Sequence, residues 1–265
     1  MKLGVTLRNM GTQSSMEIML GGASAAEAAG FESVWITDHI AIPPDDAEGS
    51  GGRYTDTLTT LAWLAGVTEK INLGSGVLIL PYRPILPTAK QVATIQELSR
   101  GRLLLGVGIG WMDPEFRALG VDRHQRGAIS DRTLEFLNTA FANDEVELNG
   151  QAFLFKPRPA APPMLIGGRA PHALKRAIRH RAGWLPMVRS AAELEADARQ
   201  YQALAEAANA PFSITAMGRL PVDPEDARAE LAAYADLGVE RFVCGIGYET
   251  LDGYQAELDR LSALL

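Results

Sequence analysis

The stretch Ile71–Gly108, INLGSGVLILPYRPILPTAKQVATIQELSRGRLLLGVG, decides the fold. It holds two short apolar runs, Asn72–Leu78 and Leu103–Val107. Runs apolar on both faces suit strands covered inside and out, as in a parallel sheet. Between them Leu86–Ser99 is amphipathic at helical spacing and stops at Gly101, a residue that accommodates the left-handed turn ending a helix. Strand, helix, strand is the repeating unit of a parallel sheet.

The same alternation extends in both directions. Further strands are predicted at Leu3–Leu7, Ser33–Thr37, Met164–Ile166, Trp184–Met187, Ser213–Met217 and Arg241–Gly245, which makes eight. Helices are predicted between them. Ser14 and Glu17 have the spacing of a capping box, as do Ser190 and Glu193. Asp223-Pro224 places an N-cap before proline, and Thr250 can cap the last helix. Thr57–Val67 is a further apolar helix. Eight strands in strict alternation predict an α/β chain with a closed (β/α)8 barrel, and 265 residues suit a single domain of that kind. One connection is long. It forms an insertion over about 110–163, with a helix at Ser130–Ala142 and a hairpin around Asn149-Gly150 within Glu145–Phe155. The loop Ala41–Asp56 is also long and rich in Gly, Asp and Pro.

Composition removes several function classes. A net charge of −7 with no basic stripe argues against nucleic acid. No apolar run approaches the ~20 residues of a membrane span, and the N-terminus reads directly into a strand, so a cytoplasmic protein is expected. One cysteine, Cys244, excludes an internal disulfide and is expected in the core. The histidines, His39, His124, His172 and His180, are scattered, which predicts no metal site.

In a barrel the chemistry sits at the C-terminal ends of the strands. His39 follows the second strand, either as an acid or base or as a structural imidazole paired with Asp38 or a loop carbonyl. Gly74 and Gly76 mark a bulge, tight packing or close approach to a ligand. Gly106-Val107-Gly108-Ile109-Gly110-Trp111 lacks the acidic partner of a dinucleotide fingerprint; it is read as a backbone shelf for a flat ring, with Trp111 as a wall. Gly167-Gly168-Arg169-Ala170-Pro171 opens the helix His172–Arg181, and free amides there favour a phosphate. No lysine falls at the mouth, against Schiff-base chemistry, and Asp38 is the only carboxylate at a strand end, against a glycosidase. A mouth poor in acid/base groups and rich in glycine suits a bound redox cofactor.

These segments together resemble the luciferase-like flavin and deazaflavin oxidoreductases. The resemblance rests on Ala29–Trp35 with Asp38-His39, Leu73–Leu78, Leu98–Leu103, Gly106–Trp111, Glu115-Phe116, Leu119–Val121, Arg126-Gly127 with Asp131, Ile166–Gly168 and Gly183-Trp184. It is greatest to the branch of actinobacterial type that uses coenzyme F420, and an Arg-rich, Lys-poor composition agrees with such a source. The resemblance implies a bacterial-luciferase-like barrel with F420 as cofactor, or FMN as the alternative. It implies that His39 sits over the ring as acid/base or polarising group and that Asp38 contacts the ring or its tail. Gly76-Val77 falls where the family has a non-prolyl cis peptide behind the ring. Gly108, Ile109, Gly110 and Trp111 would line the cofactor cleft, and Gly167, Gly168, Arg169 and Ala170 would hold the tail phosphate. Trp111 stands where sugar-phosphate dehydrogenase members carry an acid, which points to an apolar substrate or a reductase role. Glu115, Arg126 and Asp131 are read as a salt-bridge cluster bracing the insertion; Arg83 meets an anionic tail or faces water. A homodimer through outer helices is expected. Three functions follow: an F420-dependent oxidoreductase on a small organic molecule, an FMN-dependent monooxygenase, or a non-catalytic cofactor-binding protein.

Overall fold

The computed structural model describes residues 1–265. Its strands close into a parallel barrel. β1 (Lys2–Thr6) pairs with β2 (Ser33–Ile36) on one side and with β11 (Val239–Cys244) on the other, so the first and last strands meet. From β2 the order continues through β3 (Asn72–Ser75), β5 (Leu103–Gly108), β8 (Met164–Gly167), β9 (Gly183–Leu185) and β10 (Ile214–Gly218) back to β11. The helices are α1 (Met16–Ala28), α2 (Thr57–Val67), α3 (Ile85–Leu98), α4 (Asp113–Ala118), α5 (Arg126–Ala142), α6 (His172–His180), α7 (Ala191–Ala207), α8 (Pro224–Asp236) and α9 (Leu251–Ser262). The insertion between β5 and β8 supplies α4, α5 and an antiparallel hairpin, β6 (Glu145–Leu148) with β7 (Gln151–Leu154). Its turn, Asn149-Gly150, has positive φ at both residues, the combination an Asn-Gly pair tolerates best.

Alternation along the strands divides the core. Trp35, Leu104, Leu165, Leu185, Met217 and Val243 come from strands alone and fill the barrel, while Val34, Ile36, Leu103 and Leu105 face the helices. Cys244 is buried with the outer layer, and burial pushes its thiol up to about 12.

Most helix starts follow the sequence signals. Ser190 accepts from the Glu193 amide, Asp223 from those of Glu225 and Asp226, and Thr250 from that of Gly253. Three expectations are corrected. The cap of α1 is Ser15, which accepts from the Ile18 amide at 3.3 Å; Ser14 is spent in the preceding turn, donating to the Gly11 carbonyl, so the Ser14–Glu17 capping box does not form. The insertion helix begins at Arg126, four residues before the predicted start, because Arg126–Ile129 continue its turns. The strand Asn72–Leu78 is broken at Gly76-Val77, whose peptide bond is cis; β4 (Leu78–Ile79) resumes beyond it against the end of β5.

The bottom of the barrel is tied by arginines. Arg102 donates to the carbonyls of Ala65, Thr68, Ile71 and Ser99 and to the Thr68 hydroxyl, closing the C-terminus of α2. Arg241 of β11 makes a two-pronged contact at 2.6 and 2.7 Å with Glu32, just before β2, and reaches Thr215 of β10. Burial pushes the Glu32 carboxyl up, but Arg241, with hydrogen bonds from Ser33 and Asn72, outweighs it and holds the group below its ordinary 4.5. A lowered carboxylate stabilises the fold fully above its unfolded-state value and ceases to do so as pH falls through the folded-state value. Arg241→Met is therefore expected to cost about 2–4 kcal/mol at neutral pH. Urea melts at about pH 7 and about pH 3 should show the gap between variant and wild type closing in acid.

Candidate active site

The C-terminal ends of the strands are organised by three buried polar side chains. Asn9, after β1, accepts from the Thr37 amide and donates to the carbonyls of Thr37 and Thr55, splicing the ends of β1 and β2 to the loop before α2. Asp38 follows, 3% exposed. Its Oδ1 accepts from Thr57 and Arg83, and its Oδ2 from the Ile79 amide and Arg83, at 2.6–2.8 Å. Arg83 also reaches Asp56, the cap of α2. Two sequence readings are corrected here. Arg83 neither faces water nor is free for an anionic tail, and Asp38 has no acceptor left for a ring; the pair is a buried strut.

The third is Glu115 of α4, fully buried. Its Oε1 accepts from the amides of Ile40 (2.7 Å) and Ala41 (2.9 Å). Its Oε2 lies 2.8 Å from His39 Nδ1 and accepts from the Tyr82 hydroxyl at 2.9 Å. Burial pushes the Glu115 carboxyl up, but the Ala41 and Ile40 amides and His39 outweigh it and hold it below the ordinary range. The predicted cluster of Glu115, Arg126 and Asp131 is thus absent. Asp131 instead pairs with Arg176 and His180, and Arg126 bonds the Arg123 carbonyl. The reason is geometric: α4 packs over the end of β4, where Tyr82 and Phe116 meet edge to face at 5.1 Å, and this turns Glu115 inward.

His39 is therefore paired with Glu115 rather than with Asp38 or a loop carbonyl. Its side chain is 17% exposed, and Nε2 has no protein partner. Tyr54 lies 5.0 Å away, ring to ring, and Trp111 stands edge-on at 6.4 Å. Trp111 is 64% exposed, beside the mouth.

The glycines serve a different purpose from the one expected. A Cβ at Gly108 or Gly167 would lie 2.5 or 2.7 Å from the Val77 methyls, and one at Gly110 would meet Ile79 and Phe116. At Gly108 and Gly110 the direction a Cβ would take is filled by protein side chains. Gly108 and Gly167 admit the Val77 side chain and so seat the Gly76-Val77 peptide at the strand ends, while Gly110 admits Ile79 and Phe116. Gly108, Ile109 and Gly167 line one crevice with Arg176.

A separate cavity of about 770 Å³ is lined by Arg169, Ala170, Trp184, Arg189, Glu193 and Asp197, among others. The Arg169 and Ala170 amides donate to no carbonyl. The Gly168 carbonyl is held by Trp184 Nε1 at 2.9 Å, and the Ala170-Pro171 bond is cis.

Tyr82, Asn9 and Tyr54 escape sequence reasoning. None stands in a motif with chemical meaning, and only the spacing Tyr82–Arg83 at the end of a strand line hints at a site.

A closed parallel barrel with its polar residues gathered at the strand C-termini is the architecture of a barrel enzyme. The chain belongs to the luciferase-like monooxygenase family, whose model matches residues 2–261. An uncharacterised protein of Mycobacterium tuberculosis is 33% identical over 181 residues, 62% of each chain, so the match spans less than two thirds of that relative. The 5,10-methylenetetrahydromethanopterin reductase of Methanolobus tindarius is 27% identical over 219 residues, 80% of this chain and 63% of that one. Among solved structures, the monooxygenase RslO1 from Streptomyces bottropensis superposes with a TM-score of 0.81 at 17% identity over 100% of this chain and 98% of that one. An F420-dependent secondary alcohol dehydrogenase with an F420-acetone adduct gives 0.77 at 14% over 100% and 99%. These two likenesses show the shared barrel. No helix is long and apolar enough to cross a membrane.

Removing Arg83 leaves Asp38 buried without its cation. Arg83→Met is expected to cost about 3 kcal/mol, hence roughly 6–12 °C in Tm for a chain of this size, read by thermal denaturation.

Proposed function

We propose that this chain is an F420-dependent oxidoreductase that moves a hydride between the deazaflavin and a small organic substrate. The observation that carries the proposal is the composition of the mouth. It presents one imidazole with a free nitrogen, while both neighbouring carboxylates, Asp38 and Glu115, have their oxygens fully engaged. Such a mouth can pass a proton but has little else with which to do chemistry, so the electrons must come from a bound group.

The residues present fit that group. The free amides of Arg169 and Ala170 suit an anionic tail, beside a cavity whose wall holds Arg169 and Arg189 together with Glu193 and Asp197. Gly76 and Val77, seated against Gly108 and Gly167, would back the ring. When bound, F420 supplies or takes up a hydride at its ring and activates oxygen poorly. His39 exchanges the accompanying proton with the substrate. Trp111, Ile40 and Met187, all exposed, give the rim an apolar character that favours an apolar substrate over a sugar phosphate. The F420-dependent secondary alcohol dehydrogenase that shares the barrel supports this choice, and an FMN-bound monooxygenase of Pseudomonas putida that also shares it keeps FMN as the alternative. On the same proposal the protein is cytoplasmic, a single barrel domain that pairs with a second copy through outer helices.

Paired thermal-shift and fluorescence titrations with F420 and FMN test the cofactor. At 100 times its Kd, F420 is expected to stabilise the fold by about 2.7 kcal/mol. Stabilisation by FMN alone would replace the proposal with an oxygen-using monooxygenase; stabilisation by neither would remove the cofactor altogether.

A further inference from the structure

We infer that Glu115 is the positioning residue of the site: it fixes the proton of His39 on Nδ1, so that the proton of the reaction is gained and lost at Nε2. The inference rests on the proposed acid/base role of His39, but its geometry stands alone.

The hydrogen-bond inventory around Glu115 leaves one arrangement. The Ile40 and Ala41 amides can only donate, and both point at Oε1. The Tyr82 hydroxyl and His39 Nδ1 share Oε2. Burial and the Glu115 carboxylate both disfavour loss of the Tyr82 proton, so its hydroxyl remains a donor. An ionised carboxylate has acceptors only. Nδ1 must therefore carry hydrogen whether the ring is neutral or cationic, and a neutral His39 keeps its lone pair on Nε2, the nitrogen without a protein partner. Three of these contacts join α4 of the insertion to the chain just after β2, and the fourth joins it to Tyr82 after β4. Glu115 is thus the hydrogen-bonding contact through which the insertion reaches the imidazole. Sequence spacing gives no hint of this, because residues 39 and 115 are 76 positions apart.

Glu115→Gln reverses the logic with almost no change of shape. Its carbonyl oxygen must still face the Ile40 and Ala41 amides, since an NH2 there would confront two donors. The NH2 then faces His39 Nδ1 and the Tyr82 oxygen. Nδ1 becomes an acceptor and the ring hydrogen moves to Nε2.

Long-range 1H–15N spectra of the imidazole nitrogens of the full chain, assigned through a His39→Gln control and recorded above the ring's titration, read the tautomer directly. The wild type is expected to show a pyrrole-like Nδ1 and a pyridine-like Nε2 for His39, and Glu115→Gln the reverse. A pyridine-like Nδ1 in the wild type, or an unchanged pattern in Glu115→Gln, overturns the inference. Should Glu115→Gln fail to fold, Tyr82→Phe removes the other donor at Oε2. It is expected to leave His39 with hydrogen on Nδ1, and a reversal would place control in Tyr82 and overturn the role of Glu115. The spectra need no cofactor, so their failure is distinct from failure of F420 to bind.

Discussion

A carboxylate buried at a barrel mouth without an arginine or lysine is the constraint around which this site is arranged. Burying an ion costs several kcal/mol even after the protein relaxes. Hydrogen bonds to a charged group contribute about 1.5–3 kcal/mol each. Glu115 has four donors, two amides, a phenol and an imidazole, so roughly 6–12 kcal/mol of contacts offset that cost and keep it ionised. Three of the donors come from the turn after β2 and the fourth from the turn after β4, so both turns are held to α4, which carries the acceptor. The Asp38–Arg83 strut beside it does the same for the loop before α2. Together the two carboxylates convert loops, which are usually the mobile part of a barrel, into a fixed frame.

The glycines complete that frame by subtraction. Val77 needs space from β5 and from β8, and Gly108 and Gly167 leave it. One side chain thereby locks two strand ends and the peptide between Gly76 and Val77. The imidazole, the seated peptide and the amides at Arg169 and Ala170 all follow strand C-termini.

Most of the barrel is legible in the sequence because its signals are local. Apolar runs give the strands, and capping residues such as Ser190, Asp223 and Thr250 start the helices where expected. The hairpin at Asn149-Gly150 is equally plain. Ser14 and Ser15 show the limit: either can cap α1, and the choice is settled by Gly11 and Arg53, which claim Ser14. The site is only half legible. His39 and the turn at Gly167–Ala170 announce themselves by standing at strand ends. The partners of Glu115 and Arg83 do not, since a carboxylate in an insertion pairs with whatever the packing of α4 brings to it. Glycines mislead for a related reason. Their lack of a side chain is visible in sequence, but whether ligand or protein fills the space is a property of the third dimension.

In the proposed reaction His39 does chemistry on substrate beside a cofactor bound mainly by other residues. Turnover and cofactor affinity of His39→Ala, measured on one preparation, test it most directly. The account predicts turnover lower by about 100-fold or more with cofactor Kd within about tenfold, or ~1.4 kcal/mol. Turnover equal to wild type would contradict it.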